Sequence, residues 1–208
     1  MMAGVCSRAL RTLLTAALMG VALIPGTAPA TYANGSESDL YWMRTEGKFA
    51  PPTAFIPSSA VTYDMSLVPA GAHITVTELS DATVTTVELS VSGLRPHRIY
   101  GTHVHTKPCG YRPDNSGPHY QHREDVHQPS TDPAFANHKN EVWLDFTTDA
   151  KGQGGSASRH EWRFRTGEAQ SIVIHERGTA TGPGKAGTAG ARLACFTVPF
   201  GGSNSEGV

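Results

Sequence analysis

From about Ala60 onward the apolar residues of this chain fall in short runs rich in Val, Ile and Thr, some of them alternating with polar residues, with no long stretch at the three-to-four spacing of a helix. Thr83 to Val91 is the clearest case. Val87, Leu89 and Val91 alternate with Thr86, Glu88 and Ser90, the pattern of a strand with one face in a core and the other in water. Further short runs rich in Val, Ile and Thr lie at Ala60 to Val68, Ala72 to Leu79, Val142 to Thr148, Gly155 to Arg165, Ser171 to His175 and Leu193 to Val198. Turn residues such as Gly93, Pro96 and Gly101 punctuate them, and no internal repeat is visible. About seven or eight short strands separated by turn signals predict an all-β protein, an antiparallel sandwich or barrel.

The ends of the chain do not follow this pattern. Arg8 and Arg11 precede an apolar run from Leu13 to Ile24, too short to span a bilayer comfortably. Two small-residue sites follow, Ala28-Pro29-Ala30 and Thr31-Tyr32-Ala33. Residues 1–33 therefore read as a secretory signal peptide, cleaved after Ala30 or Ala33, with no stable membrane insertion afterwards. Residues 34–59 are polar and carry Pro51-Pro52 and Pro57; they read as an irregular N-terminal extension in which Tyr41 and Trp42 dock onto the domain. The domain itself spans 60–200, and the Gly/Ser-rich residues 201–208 form a flexible tail.

Export changes the counts that matter. The 17 basic residues lose Arg8 and Arg11, leaving 15 against 18 acids and a mature charge of −3. That balance argues against nucleic acid as a partner. Of three cysteines Cys6 leaves with the signal, so Cys109 and Cys195 remain as an even pair, which in an exported chain reads as one disulfide.

Ten histidines are the unusual feature of the composition, and imidazole is the commonest metal ligand. His103 and His105 stand two apart in the strand-like run Gly101-Thr-His-Val-His, so both rings project from one face. His175 ends the apolar strand Ile172-Val-Ile-His, and His119 sits in a loop, in Gly117-Pro-His. Four neutral nitrogens without a thiolate suit a copper ion cycling between two oxidation states. His73, His97 and His160 lie outside these segments and read as structural or exposed, His160 as a surface strand residue.

The runs Gly101-Thr-His-Val-His, Gly117-Pro-His, Val173-Ile-His-Glu and Gly187-Thr-Ala-Gly-Ala-Arg-Leu-Ala-Cys195 together resemble the copper–zinc superoxide dismutases, in that family's order and close to its spacing. The resemblance covers about residues 60–200 and implies a Greek-key β-barrel or sandwich of about eight strands with long metal-bearing loops. It implies copper on His103, His105, His119 and His175, with His119 bridging to zinc, a Cys109–Cys195 disulfide, and Arg192 as the arginine that guides the superoxide anion. Lys185 would assist Arg192. The zinc ligands would be His119, His127, His138 and Glu141, with His122 as a rival.

Two departures weaken the zinc half. Glu141 stands where the family has an aspartate, and the segment between His127 and His138 is longer than expected. After His175-Glu176 the chain reads Arg177-Gly-Thr-Ala, without the aspartate that usually links the two metal sites. The expectation is thus an exported dismutase holding copper with weak zinc or none. The alternative is a non-catalytic copper-binding or copper-buffering protein on the same fold.

Overall fold

The computed structural model describes residues 40–202. The expected signal peptide and residues 203–208 of the tail lie outside the described residues. Among the described residues there are ten strands: β1 (Tyr41–Lys48), β2 (Ala60–Thr62), β3 (His73–Ser80), β4 (Thr85–Ser92), β5 (Ile99–Tyr100), β6 (Thr102–His105), β7 (Phe146–Thr147), β8 (Gly154–His160), β9 (Ser171–His175) and β10 (Arg192–Thr197). They form two four-stranded sheets, ordered β1-β3-β4-β8 and β2-β10-β9-β6, plus the short pair β5-β7. Every pairing between these strands is antiparallel. The all-β expectation holds, and of its two forms the sandwich fits: the sheets do not close into a barrel.

The alternation read from the sequence decides which face of the first sheet is dry. Val87, Leu89 and Val91 of β4 are buried, as are Ile74 and Val76 of β3. They meet Ile172 and Ile174 of β9, Val104 of β6 and Phe196 of β10 in one core cluster. Burying such a side chain contributes roughly 1.5–3 kcal/mol relative to exposure. The second sheet is different. All five residues of β9 and all four of β6 are buried, so both faces are covered. The inner face carries Val104, Ile172 and Ile174; His103 and His105 project from the outer face. There they lie under the loops that follow β6 and β9.

The N-terminal extension is not irregular throughout. Tyr41–Lys48 is a strand on the edge of the first sheet, paired with β3 from Tyr41↔Ser80 to Lys48↔His73. Its inward positions, Tyr41, Met43, Thr45 and Gly47, are only half-buried, and its outward ones include Arg44, Glu46 and Lys48. So weak a contrast hides the two-residue period. Gly47 has no side chain because the Phe196 ring approaches it: an added Cβ would lie 2.8 Å from that ring. Tyr41 does dock, its hydroxyl donating to the Pro199 carbonyl at 3.4 Å. Trp42 is 61% exposed and does not.

Cys109 and Cys195 form a disulfide, with 5.7 Å between their Cα atoms and a sequence separation of 86. The bond ties β10 to the loop after β6. His160, at the end of β8, is buried rather than on the surface. It hydrogen-bonds the Ser158 hydroxyl at 2.7 Å and packs 4.4 Å from the Trp162 ring. Burial is the main cause that lowers its pKa from 6.5 to about 4.

Two outcomes follow for stability. Replacing both cysteines by serine should cost about 4–5 kcal/mol on the loop-entropy account, read as a fall in the urea midpoint under non-reducing conditions. His160 binds its proton near pH 6.5 when unfolded but only near pH 4 when folded. The stability tied to its neutral form is intact above that window. It is lost as pH falls through it, by on the order of 3 kcal/mol. A His160→Gln variant should therefore show a shallower decline of the urea midpoint between those pH values than the parent; parallel curves would contradict this.

Candidate metal centre

Four imidazoles meet on the outer face of the second sheet. His103, His105, His119 and His175 each offer one nitrogen, and the four nitrogens lie within 4.8 Å of one another. β6 supplies His103 and His105, and β9, paired beside it, supplies His175. The loop returning from the disulfide brings His119 opposite His105 as an isolated antiparallel bridge. The His103 and His119 ring centroids are 4.2 Å apart, and those of His103 and His175 are 4.9 Å apart.

In each ring the other nitrogen is held. His105 Nδ1 lies 2.9 Å from the Gly117 carbonyl and His175 Nδ1 lies 3.3 Å from the Gly190 carbonyl. His119 Nδ1 is 2.8 Å from Glu141 Oε2. A carbonyl or carboxylate can only accept, so these three Nδ1 atoms carry the proton and their Nε2 lone pairs face inward. His103 is turned the other way. Its Nε2 is 2.7 Å from Thr179 Oγ1, whose hydroxyl donates to Asp145 Oδ1 at 2.7 Å. With that hydroxyl hydrogen engaged, Thr179 accepts from Nε2–H. The Nδ1 of His103 is then left as a fully buried lone pair with no partner.

Both partner glycines have positive φ, 71° at Gly117 and 84° at Gly190. That region is open to glycine and strained for other residues. It lets the loop turn a carbonyl toward each imidazole.

The inward lone pairs are not held apart by protons. Burial, then the neighbouring imidazoles, hold His103 and His105 well below 6.5, and burial brings His175 down to about 3. Yet His105 Nε2 and His175 Nε2 stand only 3.4 Å apart. Two bare lone pairs at that distance repel unless a cation lies between them. This donor set, four imidazole nitrogens with an orphaned buried Nδ1 among them, fits a metal ion that favours imidazole, and copper and zinc both do.

A cavity of about 310 Å³ opens beside the centre, lined by His119, His175, Arg177, Arg192 and the Gly187–Gly190 turn. Arg192 opens β10 and pairs in register with His175. Its Nη1 donates to Ser116 Oγ at 2.8 Å and to the Pro113 carbonyl at 3.2 Å, both in the loop that the disulfide ties down. Lys185 is exposed and does not line the cavity; Arg177 does.

Of the expected zinc ligands His119, His127, His138 and Glu141, only His119 and Glu141 are brought together among the described residues. The His127 side chain is 89% exposed and faces Asp125 at 3.6 Å. His138 is exposed and lies in a groove with His160 and Trp162, and His122 stacks on Trp162 with centroids 5.0 Å apart. The segment between them is pinned by contacts the spacing does not reveal, such as the Asn140 amide on the Arg123 and Phe135 carbonyls. Glu141 stays at the site in another role. Its buried carboxylate accepts from His119 Nδ1, from Gln121 Nε2 at 2.7 Å and from Trp143 Nε1 at 2.7 Å.

Sequence reasoning missed four of these partners. Asp145 and Thr179 support His103, while Gln121 and Trp143 support Glu141. Thr179 lies in the very run where the aspartate was absent, and Asp145 supplies a carboxylate from another segment. No local signal marks either, because the pairing spans 34 residues.

No curated protein matches the sequence. Among solved structures, the Cu/Zn superoxide dismutase from Brucella abortus is 21% identical, with a TM-score of 0.47, over 76% of this chain and 99% of that one. A doubly substituted SOD-like protein from Bacillus subtilis is 19% identical, with a TM-score of 0.47, over 61% of this chain and 88% of that one. The family model described as copper/zinc superoxide dismutase matches residues 70–198. That span holds all four converging histidines, both disulfide cysteines and Arg192, and the chain belongs to the copper/zinc superoxide dismutase family.

Proposed function

We propose that this protein is an exported superoxide dismutase whose centre works with copper alone. The observation that carries the reading is the four inward lone pairs beside a cavity that also receives the Arg192 guanidinium. Copper bound there would supply a one-electron couple, oxidising one superoxide to oxygen and reducing a second, with two protons, to hydrogen peroxide. The chain's own part is to hold, aim and attract. His103, His105, His119 and His175 bind as neutral ligands, and the outer hydrogen bond of each fixes which nitrogen faces the metal. Arg192, held by Ser116 and Pro113, places a positive charge at the cavity. Such a charge draws in an anion that the mature chain's net −3 would repel. Export is supported by the Arg-flanked apolar run at the N-terminus and by the disulfide, which persists in oxidising compartments.

Glu141 is the reason for leaving zinc out. A bridging His119 would turn Nδ1 toward zinc, but Nδ1 donates its hydrogen to Glu141. The carboxylate supplies negative charge on that side of the ring, and the histidines that would complete a zinc set face solvent.

Purified, copper-loaded protein should dismutate superoxide well above free copper. Arg192→Ala should lower the rate by about 10-fold, the low end of electrostatic steering, and added salt should narrow the gap. His119→Ala should lose activity together with copper. Activity no higher than free copper, with copper still bound, would leave the copper-buffering alternative standing. Loading with both ions followed by metal analysis should give copper far in excess of zinc; a ratio near one would overturn the copper-only assignment. Glu141→Gln should weaken copper binding by ~10–100-fold in a competition titration.

A further inference from the structure

We propose that Trp143 is a redox-active side chain of this centre, giving up an electron to oxidant formed there while its indole proton passes to Glu141. The inference rests on the copper reading above. Trp143 lies beside β6 through an isolated bridge to His103, and its ring centroid is 6.0 Å from that of His103. Among the described residues it is the one aromatic side chain besides the imidazoles themselves that packs against the four rings. It is half-buried and lies outside the cavity that holds Arg192, so it touches solvent away from the proposed substrate entrance.

The hydrogen bond sets Trp143 apart from the other tryptophans. An indole that loses one electron becomes strongly acidic at Nε1 and is oxidised more readily when a base stands ready for that proton. Trp143 Nε1 donates to the Glu141 carboxylate at 2.7 Å. Trp162 Nε1 donates to the Lys139 carbonyl, which cannot take a proton in this way. Trp42 is 61% exposed, on the edge strand.

The oxidant is hydrogen peroxide, the product of the proposed reaction. Its O–O bond breaks to give two hydroxide ions. Copper held by the four histidines in its reduced, cuprous state would supply one electron and be left cupric; the other comes from the Trp143 indole, whose Nε1 proton moves to Glu141. A neutral tryptophanyl radical remains. An external one-electron donor with a proton restores the indole. Otherwise superoxide and one proton add to the radical and leave a tryptophan hydroperoxide, heavier by two oxygen atoms. In this arrangement the ligand histidines are spared because the neighbouring indole is oxidised first.

The test uses the full copper-loaded protein, reduced with ascorbate and mixed with hydrogen peroxide. Freeze-quench electron paramagnetic resonance should detect a neutral tryptophanyl radical. The signal should persist in Trp42→Phe and Trp162→Phe and vanish in Trp143→Phe. Peptide masses after exposure to peroxide under a superoxide-generating system should place added oxygen on Trp143 several-fold above Trp42 and Trp162. In Trp143→Phe the added oxygen should move to the ligand histidines. If that variant does not fold, the peptide masses of the parent protein decide alone. A radical that survives in Trp143→Phe, oxygen spread evenly over the three tryptophans, or oxidised ligands beside an intact Trp143 would each overturn the proposal. The cupric spectrum recorded before reduction separates the two readings. Copper on four nitrogens without a tryptophan radical removes only the role of Trp143; no bound copper removes the metal assignment and this role with it.

Discussion

Four imidazole nitrogens aimed at one point repel one another, and much of the site's architecture answers that repulsion. Protonation would relieve it, but burial keeps His103, His105 and His175 neutral far below their usual range. Rotation of the rings would relieve it too, and the outer hydrogen bonds of all four rings prevent that. What remains is a cluster of fixed lone pairs with a strong demand for a cation, held from behind by two carbonyls, a hydroxyl and a carboxylate.

The sandwich makes the arrangement rigid by separating two tasks. The paired strands β6 and β9 set the positions of three rings, because their inner faces are locked into the core through Val104, Ile172 and Ile174. The loops set orientation. One of them returns from Cys109 through Ser116 and Gly117 to His119, and so carries the Arg192 anchor, the carbonyl on His105 and the fourth ring together. A covalent bond to β10 holds that loop at its far end, which places the disulfide within the machinery of the site as well as in the stability of the fold.

How much of this could be read from the chain depends on the range of the interaction. The period of two in Val87, Leu89 and Val91 is local, and it located the sandwich. The spacing of His103 and His105 is local as well, and their shared face followed from strand geometry alone. β1 escaped because an apolar Trp42 on its outward face and Thr45 and Gly47 on its inward face flatten its alternation. The role of Glu141 escaped because three donors from three places define it: Gln121, Trp143 and His119. His127 and His138 have the sequence order of ligands, yet irregular loops carry no period from which a side chain's direction can be inferred.

Gly117 and Gly190 join what shapes the turns of this chain to what aims its ligands. Neither contributes a side chain to the core, and each stands at a surface turn. Each nonetheless decides where one imidazole points, through a carbonyl that only its own backbone freedom permits. A replacement at either turn would strain the backbone and crowd a neighbour, with a Cβ 2.6 Å from Thr106 Oγ1 at Gly117 and 2.7 Å from Glu176 Oε2 at Gly190, so the local fold and the aim of an imidazole would both register it. The four histidines are therefore not the whole inheritance of the centre: a descendant could keep the sandwich core, its disulfide and all four rings and, without these two turns, lose the aim of two of them.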